Sequence, residues 1–93
     1  MRTALDIRKR LIAYSLMPVV DEVLKRNNTT LSITFGKSTD IRCAHVRQAI
    51  YSAVREREGW STWLTAELFG VSVSTIVEGV DKYLNRQERR RAG

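Results

Sequence analysis

The chain of 93 residues is 43% hydrophobic and 28% charged and carries a formal net charge of +6; this allows one small domain around a single modest core and excludes a disordered chain. No apolar run approaches the ~18 residues that cross a bilayer, and the opening "MRTALDIRKRL" lacks the apolar core of a signal peptide, so a cytoplasmic protein with no membrane partner is expected. Cys43 is the one cysteine, which excludes an internal disulfide and suits a reducing compartment.

In chain order, "TALDIRKRLIAYSL" spaces Leu5, Ile12 and Leu16, with Ile7, Leu11 and Tyr14 beside them, as a helix with a wide apolar face. Arg8, Lys9 and Arg10 take the remaining side. Pro18 should end or kink this helix, because it lacks an N–H and clashes with the preceding turn. "PVVDEVLKR" reads as a second helix, with Pro18 in its first turn, acids early, and Lys25 and Arg26 late, the order the helix dipole favours. "NNTTLSITFGKST" reads as a loop with a short turn near Leu31 to Phe35. Asp40 is a good N-cap for "IRCAHVRQAIYSAVRERE". Along that helix Cys43, Val46, Ala49, Ile50, Ala53 and Val54 form a core-facing stripe, and Arg42, His45, Gln48, Ser52 and Arg55 line the opposite side. Gly59 stops it. Ser61 caps "TWLTAELF", Gly70 ends that helix, and Ser72 caps "VSTIVEGVDKYLNRQERRR", whose last turns are expected to fray. No strand, repeat or low-complexity segment is predicted apart from the basic tail. The fold expected is all-α: a small helical domain of about five helices over residues 1–93, with a helix-turn-helix over about 62–85 and a basic tail over 86–93.

The segment "AELFGVSVSTI" carries the most specific local signal. A helix-turn-helix packs two short helices at a steep angle. The first helix needs a small residue where the second crosses it, which Ala66 supplies. Four residues later the turn needs a residue tolerant of positive φ, which Gly70 supplies. Six residues further an aliphatic side chain must plug back into the first helix, and Ile76 does so. Val71 is expected to be buried after the glycine. Ala66, Gly70, Val71 and Ile76 are therefore the motif scaffold.

A basic small domain attracts polyanions, nucleic acid foremost. Yet from Glu58 to Asp81 there is no Lys or Arg, while Glu58, Glu67, Glu78 and Asp81 make that stretch acidic. Phosphate contacts carry much of DNA affinity, so the cations must come from around the motif. The candidates are Lys37, Arg42, Arg47, Lys82, Arg86 and the tail residues Arg89, Arg90 and Arg91. The hydroxyls of Ser61, Ser72 and Thr75, and the backbone N–H groups opening the last helix, can add phosphate bonds.

The block "VRQAIYSAVREREGWSTWLTAELFGVSVSTIVEGVDKYL" resembles the C-terminal DNA-binding domain of the bacterial replication initiator DnaA. The family's Arg-Gln opening a helix that ends in Arg-Glu corresponds to Arg47, Gln48, Arg55 and Glu56. Its Ser before the first motif helix corresponds to Ser61, its Phe-Gly to Phe69 and Gly70, and its Ser-Thr-Val to Ser74, Thr75 and Ile76. Upstream, "VVDEVLKRNNTTLSI" resembles the family's opening helix and following loop, so the likeness spans roughly Val19 to Asn85. It implies the fold and a duplex-binding mode. The family carries Gly-Arg-Asp-His between its Phe-Gly and Ser-Thr, whereas only "VSV" separates Gly70 from Ser74, one residue fewer. The family's Arg-rich loop is here "GKST", with Lys37 alone. The initiator's own DNA site is therefore not implied. The initiator's ATPase domain has no counterpart in these residues, and the short turn is like that of common repressors.

Other residues carry weaker signals. Cys43 and His45, two apart on a helix, point about 200° apart and do not form a metal pair, so no metal is expected. No Ser–His–Asp or Cys–His set is discernible, and no enzyme, cofactor or small-molecule substrate is expected. Gly36-Lys37-Ser38 echoes the end of a P-loop without the upstream glycine or strand. Trp60 and Trp63 are expected as core staples around the start of "TWLTAELF". The wide apolar face of the first helix offers a homodimer surface, as helix-turn-helix proteins often pair to read two half-sites. The function expected is double-stranded DNA binding by a transcription or replication regulator. Val73, Ser74, Val77 and Glu78 would face base edges, Glu78 accepting from cytosine N4 and Val73 touching a thymine methyl. The alternative is a protein-binding adaptor on the same fold, favoured by the acidic motif.

Overall fold

Short-range hydrogen bonds set the helix boundaries. In the computed structural model, which describes residues 1–37 and 39–92, the helices are α1 Ala4–Ala13, α2 Met17–Arg26, α3 Leu31–Thr34, α4 Ile41–Arg55, α5 Thr62–Phe69 and α6 Val73–Ala92. Ser38 of the Gly36-Lys37-Ser38 echo and Gly93 of the basic tail lie outside the described residues. Among the described residues there is no strand, and no single helix is long and apolar enough to cross a membrane.

Caps explain most boundaries. Thr3, Thr30, Asp40 and Ser61 each accept a hydrogen bond from a backbone N–H of the helix they open, satisfying donors that have no partner inside the helix. The turn expected near Leu31 is itself a one-turn helix, so the described residues form six helices instead of five. Thr34 reinforces it by donating its hydroxyl to the Thr30 carbonyl at 2.8 Å. The first helix stops at Ala13, earlier than expected, because Ser15 adopts a left-handed φ of 60°. Pro18 sits within the first turn of α2, where a missing N–H costs nothing. α4 closes at Arg55, short of the Glu58 expected, and Gly59 turns the chain at φ 84°. α6 runs as regular helix to Ala92.

α4 is the central helix. It packs most extensively on α6 and also touches α2, α3 and α5, while α1 lies against α2, α3 and α5. Ile50 and Val54 are completely buried, with Val46 and Cys43 close behind. Being clasped on several sides also buries Ser52, which the stripe had placed on the solvent side. Ser52 is thus covered by neighbours that the periodicity of α4 does not reveal, while Arg42 stays exposed as expected. Phe35 of the α3–α4 connection stacks on Phe69 at 5.4 Å between centroids, and Tyr51 meets Phe69 edge-on at 5.1 Å; aromatic pairs in these geometries add about 0.5–1.5 kcal/mol beyond area burial. Burial pushes the Tyr51 phenol above its ordinary range, against a smaller opposing pull from Arg47.

The apolar face of α1 splits. Ile7 and Leu11 are fully buried and Leu16 nearly so, but Leu5, Ile12 and Tyr14 are more than half exposed. Leu5 and Ile12 therefore share the outer side with Arg8 and Lys9, because α1 packs along a narrow seam. Trp60 is half-buried and meets Tyr14 edge-to-face at 5.2 Å. Trp63 is 61% exposed and so is not the core staple expected.

Candidate nucleic-acid interface

The corner between α5 and α6 is built from local bonds first. Gly70 adopts φ 68° and ψ 39°, the left-handed conformation that glycine alone reaches without strain. Val71 donates its N–H to the Ala66 carbonyl at 3.0 Å and Gly70 to the Glu67 carbonyl at 3.3 Å. This pair of bonds is the Schellman ending of a helix, with the half-buried Val71 beside Ala66 as its apolar contact. Ser72 then opens α6: its Oγ accepts the Thr75 N–H at 3.2 Å and lies 2.9 Å from Thr75 Oγ1. The two helix axes bend by 105°, within the range of a helix-turn-helix. Ala66 is 4% exposed and Ile76 fully buried, so the crossing residue and the plug stand as the spacing predicts.

Two further supports were missed in the sequence. Arg2 donates its backbone N–H to the Phe69 carbonyl at 3.2 Å and its Nε to the Glu67 carbonyl at 3.1 Å. It thereby covers the carbonyl end of α5, where a cation suits the dipole. Gly79, buried in α6, lets Tyr51 of α4 approach so closely that a Cβ there would sit 3.0 Å from Tyr51 Cδ2. A glycine three residues after Ile76 on one helical face was the available signal.

On this frame Val73, Ser74, Val77 and Glu78 are all exposed on the first turns of α6, with Val73 42% and Val77 46% accessible. One shallow depression between α4 and α6 gathers Arg47, Thr75, Glu78 and Lys82. These expected phosphate and base residues therefore come together. A second depression, at the corner itself, holds Ser72 and Val73 with Arg2 and Trp63. On the α6 wheel Thr75, Glu78, Lys82, Arg86 and Arg89 share one flank, whereas Val73, Val77, Val80 and Leu84 share another. The basic rim is thus one-sided.

The remaining candidates lie elsewhere. Arg42 pairs with its own helix cap, Asp40, at 3.4 Å, and lines a hollow with Asn27 and Asn28. The Arg42 backbone N–H first, and then its side chain, hold the Asp40 carboxyl below the usual carboxylate range. Lys37 is exposed in the connection before α4, and Ser61 is exposed but engaged with Leu64 N at 3.1 Å. Arg47 also donates to the Thr34 carbonyl at 2.8 Å, tying α3 to α4. Arg86 donates to Gln48 Oε1 and, at 3.5 Å, to the His45 carbonyl. Arg89 and Arg91 are exposed, and Arg90 lines a hollow against α2 and α4. Among the described residues no three His, Cys, Asp or Glu side chains gather at metal-binding range.

No protein-family model, curated protein or solved structure matches the chain.

Proposed function

We propose that the protein binds double-stranded DNA through α5 and α6 and acts in the cytoplasm as a transcription or replication regulator. The observation that carries this reading is the exposed start of α6, held at 105° to α5 with Arg47 and Lys82 in the same depression as Thr75 and Glu78. The first turns of α6 enter the major groove, where Val73, Ser74, Val77 and Glu78 meet base edges. The cationic flank lies along one phosphate strand, and the free N–H groups opening α6 add neutral phosphate bonds. The likeness of Val19 to Asn85 to the DNA-binding domain of DnaA supports the same mode. Exposed Leu5 and Ile12 on α1 provide the surface for a homodimer that would place two reading helices on paired half-sites.

Titration of labelled random duplexes at several salt concentrations tests this. Binding that weakens steeply with salt is expected; no binding at low salt excludes it. One observation favours a second reading, a protein-binding adaptor. Val73, Val77 and Leu84 form an exposed aliphatic flank, with Leu84 48% accessible, beside the acidic Glu78 and Asp81. A basic, partly apolar partner would suit that flank.

A further inference from the structure

Beyond the first turns of its last helix, the chain encloses a hollow of about 220 Å³ between α2, α4 and α6. Its basic lining is Arg26 of α2 and Arg86 and Arg90 of α6, with the His45 imidazole of α4 beside them. Its polar lining adds Asn27, Tyr83 and Gln87, and among the described residues no Asp or Glu lines it. The ion pairs among the described residues are Arg2 and Arg10 with Asp6, and Arg42 with Asp40, so none neutralises this cluster. The arrangement costs stability as it stands. Arg86 and Arg90 are i,i+4 on one helix, where like charges repel. Partial burial first, and then Arg90, hold the Arg86 guanidinium below its ordinary range, with a smaller opposing pull from Tyr83. Partial burial, then Arg86 and Arg90, do the same to the His45 imidazole.

A structural role accounts for part of this only. Arg86 straps α6 to α4 through Gln48 and the His45 carbonyl. That strap needs neither Arg90, nor Arg26, nor a histidine in the same hollow.

We propose that this hollow is an oxyanion site for a phosphoryl group, gripped by Arg26, Arg86 and Arg90 with His45 beside them. Three guanidinium groups call for more than one negative charge, which a phosphate dianion carries and a carboxylate does not. The planar guanidinium fork matches two phosphoryl oxygens at once. The volume is several times the roughly 30 Å³ share of a water, so a pyrophosphate fits as well as a single phosphate. The Arg86 strap holds one fork in place before the anion arrives, which lowers the ordering cost of binding. Arg86 is one turn beyond Lys82 and bonds Gln48, which lines the neighbouring depression, so the hollow adjoins the first turns of α6; its binding of a free anion does not rest on the DNA reading. The phosphoryl group can come from a free small molecule or from the backbone of a bound duplex.

The test is calorimetric titration of the protein with inorganic pyrophosphate against an ionic-strength-matched chloride control, with the His45 ring followed by NMR. Saturable binding at one site is expected. The His45 pKa should rise on binding, because the anion offsets Arg26, Arg86 and Arg90, the cations that face it alongside the Tyr83 hydroxyl. Arg26→Gln and Arg90→Gln lie outside the core and leave Arg86 in place; each should weaken pyrophosphate at least about tenfold while circular dichroism shows a melt equal to or above that of wild type, as relief of like-charge repulsion requires. Weak, non-saturating shifts that are the same in both variants would overturn the site, whatever duplex binding shows. A second arm identifies the source. If either variant lowers the slope of log affinity for a duplex against log salt by about one, a backbone phosphate occupies the site. If the slope is unchanged while pyrophosphate binding is lost, the occupant is a free ligand. A protein that takes pyrophosphate but no duplex keeps this site and loses the DNA reading.

Discussion

Gly70→Ala probes the corner on which the placement of α6 depends. At φ 68° an L side chain costs about 1–2 kcal/mol from the clash of its Cβ with the backbone. The new methyl would also lie 2.5 Å from Arg2 Cγ and 3.0 Å from Arg2 N. The first contact can be relieved by moving a flexible side chain; the second asks the Arg2 backbone itself to give. That shift strains its bond to the Phe69 carbonyl, and losing the bond adds about 0.5–1.5 kcal/mol. Together these give roughly 2–3 kcal/mol, which in a domain of this size lowers Tm by on the order of 10–20 °C. Urea unfolding followed by circular dichroism gives the free energy directly. In an Arg2→Ala background the Cγ contact is gone, so the same substitution should cost less, with a coupling of about 0.5–1 kcal/mol. A melting point within a few degrees of wild type would refute both the left-handed turn and the packing of Arg2 on it.

Further outcomes follow from other contacts. Gly79→Ala should gain nothing, although Gly to Ala inside an exposed helix is worth about 1 kcal/mol, because Tyr51 is hemmed in by Phe35 and Phe69 and cannot yield; a stabilised variant in thermal melts would contradict the close α4–α6 approach. The His45 pKa is held below its ordinary value in the folded state, so between about 6.5 and that lower value the unfolded chain binds more protons and stability falls as pH falls. His45→Asn should flatten this part of a pH–stability curve, leaving a separate loss at lower pH, where Asp40 takes up its proton; an unchanged curve would remove His45 as its source. Arg89→Gln combined with Arg91→Gln should weaken all duplexes alike and reduce the salt slope by roughly two; a change in the preferred sequence would show that these residues touch bases.

The parts legible in the sequence were those governed by neighbours a few residues away. Ala66, Gly70 and Ile76 answer to the steric rules of one corner, and Asp40, Ser61 and Ser72 to the orphan N–H groups just ahead of them. The parts not legible depend on partners far along the chain. Arg2 reaches Glu67 across 65 residues and Arg86 reaches Gln48 across 38, and no periodicity encodes either. Ser52 is buried and Trp63 exposed because helix packing, and not polarity, decides which side of α4 and α5 is covered. The expected phosphate residues were legible as a set of cations but not as groups. Packing gathers Arg47 and Lys82 beside the first turns of α6, and Arg86 and Arg90 at an adjoining hollow.

Selection from a randomised duplex pool, carried out in parallel with wild type and Glu78→Gln, tests most directly whether the first turns of α6 read DNA. Glu78 is exposed in the middle of that surface, and a carboxylate beside phosphates is costly unless it accepts a base hydrogen bond. The wild type should enrich a defined motif. The variant should hold or gain overall affinity while its preference at one base pair relaxes by about 1–3 kcal/mol. No enriched motif, or an identical motif for both proteins together with weakened binding of a basic protein partner, would contradict groove reading by this helix.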